Sequence, residues 1–130
     1  MSRETPMDKC ILVVDDERYI VNILDFTLGS EGFRVMSASN GEEALRMAMK
    51  ETPDLVVLDI MMPKIDGFEV CRALKAKEET KDLPVILLTA KDRDADRKKG
   101  EEVGADLYMT KPFSPARLVE EVRNLLGVTL

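Results

Sequence analysis

The sequence predicts an α/β fold, a parallel sheet doubly wound with helices on both faces, and three observations carry that reading. Strand-length apolar runs alternate with helix-period patterns five times along 130 residues. Three of the runs, Cys10–Val14, Leu55–Leu58 and Val85–Leu88, are continuously apolar, as strands buried on both faces are. A helical pattern separates each run from the next, and right-handed crossovers lay such helices on both sides of one sheet.

Each element follows from its own residues. Cys10-Ile-Leu-Val-Val14 is the first strand and ends in Asp15-Asp16. Ile20, Ile23, Leu24, Thr27 and Leu28 recur at helical spacing, and Gly29 with Gly32 supplies a stop. Phe33 to Ala38 alternates in strand fashion. Asn40, with Glu43 three positions later, opens a helix over Glu42–Glu51 in the manner of a capping box, and Pro53 closes it. Leu55-Val-Val-Leu58 ends at Asp59. Asp66 and Glu69 stand as N-cap and N3 of a helix carrying Phe68, Cys71 and Leu74. Val85-Ile-Leu-Leu88 ends at Thr89, and a very polar helix spans Asp92–Val103 with Gly104 at its C′ position. Asp106–Thr110 is a short strand. After Lys111-Pro112-Phe113, Ser114 caps a last helix with Pro115 at its first position, an apolar stripe of Leu118, Val119, Val122, Leu125 and Leu126, and Gly127 at its end. No repeat, linker or low-complexity stretch interrupts this order.

Composition removes several functions. The net charge of −6 argues against a bare nucleic-acid or anionic-membrane surface. No apolar run approaches the length of a membrane span, and Met1 to Lys9 lacks a signal-peptide core, so a cytoplasmic location is expected. With no histidine, imidazole triads, imidazole metal sites and internal His-phosphate relays are excluded. The two cysteines, Cys10 and Cys71, lie 61 positions apart inside apolar segments and read as small core fillers in a reducing compartment. Carboxylates, Lys, Thr, Ser and Tyr remain for chemistry.

In an open α/β sheet, ligands bind outside the carboxyl ends of the strands. Those ends carry Asp15 and Asp16, then Asp59, then Thr89, with Lys111 just past the last strand. Two carboxylates about 4 Å apart repel by on the order of 4 kcal/mol at an effective dielectric of about 20, so the cluster calls for a cation. An all-oxygen donor set without His or Cys favours Mg²⁺ or Mn²⁺. Lys111 neutralises part of the charge as a point cation, and Thr89 can donate to an added oxyanion. A carboxylate nucleophile, a divalent cation, a hydroxyl and an ammonium make a phosphoryl-transfer site. Taken singly, Asp16 reads equally as a helix cap, Thr89 as a turn residue, Lys111 as a solvated charge, and Met61 and Met62 as packing or loop residues. Their joint arrangement at four strand ends carries the functional reading.

These residues also carry a resemblance. Val14-Asp15-Asp16-Glu17, Leu58-Asp59-Ile60-Met61-Met62-Pro63 with Asp66-Gly67, Leu88-Thr89-Ala90, Gly104-Ala105-Asp106 and Lys111-Pro112-Phe113 stand in order on the matching strand ends. The chain resembles a response-regulator receiver domain of two-component signalling, of the single-domain chemotaxis-regulator type, over about residues 9–127. The resemblance implies one receiver domain over residues 1–130, a flavodoxin-like five-stranded sheet of order 2-1-3-4-5 flanked by five helices, and a cis Lys111-Pro112 bond. It implies Asp59 as phosphoacceptor, with Asp16, Asp59, Asp15 (mostly through water) and the Met61 carbonyl holding Mg²⁺ or Mn²⁺. Thr89 and Lys111 would contact the phosphoryl group, and Tyr108 takes the switch-aromatic position.

The implied donor is a histidine kinase or a His-phosphotransfer protein. The chain would be no enzyme beyond transfer to its own aspartate and slow self-dephosphorylation, since bulky Met61 and long Lys91 flank the path of the attacking water. Inward rotation of Tyr108 behind Thr89 would change the surface formed by the fourth helix, fifth strand and fifth helix. Two departures stand out. Lys64-Ile65 replaces a commoner small-or-Met pattern without evident consequence in the sequence. Leu107 stands where dimerising relatives often carry a second acid, so a monomer or weak dimer is expected, with Asp106, Arg117, Glu120 and Arg123 available for cross-subunit pairs. Against this stand a Mg²⁺-dependent phosphotransferase or nuclease-type enzyme, which the acidic balance disfavours, and a haloacid-dehalogenase-type phosphatase, which would want an acid at Met61. A flavin carrier is opposed by the acidic pocket, and a silent pseudo-receiver by the intact site.

Overall fold

A computed structural model describes residues 9–90 and 93–128. Ten elements alternate along the chain: β1 (Cys10–Val14), α1 (Arg18–Ser30), β2 (Arg34–Ala38), α2 (Gly41–Glu51), β3 (Leu55–Asp59), α3 (Gly67–Ala76), β4 (Val85–Thr89), α4 (Asp94–Glu102), β5 (Leu107–Thr110) and α5 (Pro115–Leu126). All strand pairs are parallel, and the sheet order is β2-β1-β3-β4-β5. The three continuously apolar runs are the three central strands, buried along their whole length.

Period-two alternation along those strands divides the core in two. Leu12, Val14, Val56, Leu58, Val85 and Leu87 face α2 and α3, where Ala44, Ala48, Phe68, Cys71 and Leu74 cover them. Ile11, Val13, Leu55, Val57, Ile86 and Leu88 face the other way, onto Ile20, Leu24 and Leu28 of α1 and Leu118 and Val122 of α5. Full burial of one such side chain contributes about 1.5–3 kcal/mol. α5 therefore docks firmly through Leu118, Val119 and Val122, whereas Gly100 is the single buried residue of α4.

Caps form where their residues stand. The side chains of Asn40, Asp66 and Ser114 accept from the amides of Glu43, Glu69 and Arg117, closing the first turns of α2, α3 and α5. Gly104 and Gly127 take left-handed backbone as C-terminal stops.

Several details differ from the sequence reading. α1 runs through Gly29 to Ser30, and Gly32, at φ 97°, makes the reversal. Ile23 belongs to the solvent face of α1 rather than its buried stripe, because Ile20, Val21, Leu24 and Leu28 already fill the inward arc. α2 ends on Thr52 in left-handed backbone, ahead of Pro53. Asp106 precedes β5 and turns its carboxylate back to the Val85 amide. Helix α4 starts at Asp94; Lys91 and Asp92 lie outside the described residues. Lys64-Ile65 does have a consequence: Lys64 sits at φ 68°, where small residues such as Gly are least strained. Ile65 packs on the first turn of α2, within 3.0 Å of where a Cβ on Gly41 would stand.

Candidate functional site

The site follows from strand parity. Asp15 and Asp59 end β1 and β3 one position beyond Val14 and Leu58, so both point toward the α1/α5 face. Lys111 has the same parity on β5 and reaches the same place. Thr89 has the opposite parity and shares the other face with Leu87 and Tyr108.

Asp15 and Asp59 are 1% and 2% exposed, and Asp16 is exposed beside them. One carboxylate oxygen from each of the three lies within 4.8 Å of the others. Lys111 Nζ stands 2.8 Å from Asp15 Oδ2, 3.3 Å from Asp59 Oδ1 and 3.5 Å from Glu17 Oε1. Asp15 Oδ1 accepts from the Glu17 amide at 2.9 Å, so both oxygens of Asp15 are engaged. The peptide bond Lys111-Pro112 is cis.

Asp59 is the strained member. Burial first, then the neighbouring charge of Asp15, pushes its pKa from 3.8 up to about 6, against the opposing pull of Lys111 and a hydrogen bond from the Met61 backbone. Lys111 titrates above its ordinary value. Burial alone would lower it, and the bonds and charges of Asp15 and Asp59 outweigh burial. Among the described residues, three carboxylates against the close-set ammonium of Lys111 leave the cluster with excess negative charge and an all-oxygen donor set, which fits a small hard divalent cation. Asp15, Asp16 and Asp59 are placed to hold it.

Of the residues named from the sequence, Asp15, Asp16, Asp59 and Lys111 come together here and Met61, Thr89 and Tyr108 stand beside or behind them, while Lys91 lies outside the described residues. Thr89 is buried at the end of β4, at the inner wall of a cleft of about 600 Å³ that Met61, Met62, Phe68 and Arg93 also line. Met61 is exposed at the rim, while Met62 is core. The half-buried Tyr108 ring lies against α4, where a Cβ on Gly100 would meet it at 3.2 Å, and the Arg97 guanidinium covers it 4.9 Å from its centroid. Glu17, the third partner of Lys111, stands in the Val14–Glu17 motif but is given no role by the sequence alone. Its place immediately after the acidic pair was the available signal. The charges expected to serve cross-subunit pairing are partly spent within the chain, since Lys75 engages Asp106 at 3.1 Å and Glu31 engages Arg123.

Known proteins match this arrangement. The family described as response regulator receiver domain matches residues 11–123. The chain is 51% identical over 120 residues to the alkaline phosphatase synthesis transcriptional regulatory protein PhoP of Bacillus subtilis, covering 92% of this chain and 49% of that protein. It spans about half the length of the curated relatives it matches. Chemotaxis protein CheY4 of Vibrio cholerae superposes with a TM-score of 0.86 at 32% identity, covering 91% of this chain and 98% of that one. The receiver domain of Francisella response regulator 1452 gives 0.84 at 32% identity, covering 92% and 97%. The matched segment runs from the second residue of β1 into the last turn of α5 and takes in every strand end that builds the site: the chain belongs to the response regulator receiver domain family.

Proposed function

We propose that Asp59 is the phosphoacceptor of a two-component signalling switch, and the observation that carries this is its position. It is a buried carboxylate with a pKa of about 6, set between two other aspartates and the ammonium of Lys111. At neutral pH it is mostly ionised and ready to attack. One Asp59 oxygen forms a bond to phosphorus while the bond from phosphorus to the donor's leaving group breaks. For a histidine kinase or phosphotransfer protein the leaving group is an imidazole, which the partner must supply because this chain has no histidine. Mg²⁺ bound by Asp15, Asp16, Asp59 and the Met61 carbonyl would neutralise charge on the phosphoryl oxygens. Lys111 holds a positive charge against the acceptor throughout, and Thr89 donates its hydroxyl to a phosphoryl oxygen afterwards.

The donor has a surface to sit on. Tyr19, Ile23 and Phe26 make an exposed stripe along α1. Its upper end opens into an apolar groove of about 520 Å³ that shares Glu17 and Lys111 with the site. A protein that presents a phosphohistidine over Asp59 covers this groove.

Output runs through the other face. Thr89 and Tyr108 share it, α4 holds to the body with little apolar burial, and movement of Thr89 toward a phosphoryl group opens space for the Tyr108 ring. Incubation with Mg²⁺ and acetyl phosphate should add one phosphoryl mass to the parent and none to Asp59→Asn. Undiminished labelling of that variant rejects the assignment. The nuclease-type alternative is not favoured by the family match.

A further inference from the structure

Gly67 stands at the first position of α3, directly after the capping Asp66. Its backbone φ is not left-handed, so conformational freedom does not explain a glycine here. Space does. A Cβ on Gly67 would lie 2.4 Å from the Asp59 carbonyl oxygen, 2.8 Å from Ile60 Cα and 3.0 Å from the Asp59 carbonyl carbon. All three neighbours are backbone, which cannot rotate away as a flexible side chain would. The Gly67 amide also donates to the Ile60 carbonyl at 2.9 Å, drawing the start of α3 onto the end of β3.

We infer that Gly67 is a positioning residue for the acidic site: the missing side chain lets α3 press on the Asp59 peptide and so sets where the Asp59 carboxylate and the Met61 backbone stand. A methyl group at 67 must separate β3 from α3 by roughly an ångström to reach ordinary contact. On the strand side, Ile60 is tied to β4 by its amide bond to Leu88 O at 2.9 Å, and the Asp59 carboxylate is tied to Lys111. The resulting shift falls on the peptide of Asp59 and on the loop from Ile60 to Asp66 that closes back on it. Gly41 provides the contrast. It is crowded less closely, by Val70 Cγ2 at 2.9 Å and by the Cβ and carbonyl oxygen of Ile65 at 3.0 Å, at the end of the loop away from Asp59. Gly29, also helical, has nothing within 4 Å.

The inference rests on the reading of Asp59 as a metal-side acceptor, and Mg²⁺ binding alone tests it separately from phosphorylation. Gly67→Ala should weaken Mg²⁺ binding, followed by metal-dependent NMR shifts, by tenfold or more. Gly41→Ala should also lose thermal stability and keep Mg²⁺ affinity within twofold. If Gly67→Ala binds Mg²⁺ as tightly as the parent, or if Gly41→Ala weakens binding equally, the positioning role is overturned. A second measurement needs no variant. During Mg²⁺ titration of the parent, the Gly67 amide resonance should move together with that of Met61 while Gly29 stays still. A stationary Gly67 resonance overturns the inference even if Gly67→Ala does not fold. Failure of the parent to accept a phosphoryl group, with Mg²⁺ binding intact, would count against the phosphoacceptor reading and leave the Gly67 result standing.

Discussion

The two ends of this sheet both carry aspartates, and they use them in opposite ways. At the amino end, Asp54 accepts from the Cys10 amide at 2.7 Å, and Asp106 accepts from the Val85 amide at 2.8 Å and from Lys75 at 3.1 Å. Each of these carboxylates satisfies a strand-start amide, and Lys75 ties α3 into the same knot through Leu83 O. At the carboxyl end, Asp15, Asp16 and Asp59 crowd one another around the ammonium of Lys111, and Asp59 is held at a pKa of about 6. An aspartate at a strand end is structural when backbone donors fill it. It is chemical when burial and like charge leave it in need of a cation.

The sharpest way to break this comparison is phosphoryl labelling. Asp59→Asn should lose all of it, whereas Asp106→Asn and Asp54→Asn should keep the parent rate within about twofold. Loss of labelling in either amino-end variant, measured by intact mass after acetyl phosphate, would erase the distinction.

Stability should move in opposite directions at the two ends. Asp106→Ala strands the buried Val85 amide and leaves Lys75 with Leu83 O alone of its two partners there, and should cost about 2–3 kcal/mol in urea unfolding. Asp59→Asn should stabilise the metal-free protein at pH 8. Because the folded pKa lies above the unfolded value, an ionised Asp59 opposes folding above pH 6, and that penalty fades as pH falls from about 6 toward 4. A shift of this size corresponds to roughly 2 kcal/mol, allowing for the partner that Lys111 loses. The stability advantage of Asp59→Asn over the parent should therefore shrink on acidification to pH 4.5. A pH-independent advantage would mean that repulsion is not its source. Mg²⁺ should raise the melting temperature of the parent and leave Asp16→Ala much less affected.

The smallest effect sharpens the structural end. Thr52, a β-branched residue at φ 44°, ends α2 two residues before Asp54. Thr52→Gly should add about 0.5–1 kcal/mol, read as a small rise in melting temperature, without altering labelling.

Much of this was legible in the residues. Continuous apolar runs marked the buried strands, capping pairs such as Asn40 with Glu43 and Asp66 with Glu69 marked helix starts, and polar groups at four strand ends marked the site. Gly104 and Gly127 stopped their helices as their type requires. The misreadings have physical causes. Ile23 sits at helical spacing with Ile20 and Leu24, and only the width of the packed arc excludes it from the core. Lys64 looked inconsequential because backbone angles in a loop depend on how Ile65 and Gly67 are anchored on either side.

By itself, then, the sequence determined the fold class, the parallel order of burial and the chemistry available at the strand ends, because period and residue type are local properties of the chain. Tertiary structure decided the rest. Lys111 meets Asp15 across 96 residues and spreads its charge to Asp59 and Glu17. Thr89 shares a face with Tyr108, and Asp106 and Arg123 find partners within the chain. Gly67 is a glycine because the Asp59 carbonyl occupies the space a side chain would take. Such facts are distances between segments remote in sequence, and they exist only once the sheet has brought the strand ends together.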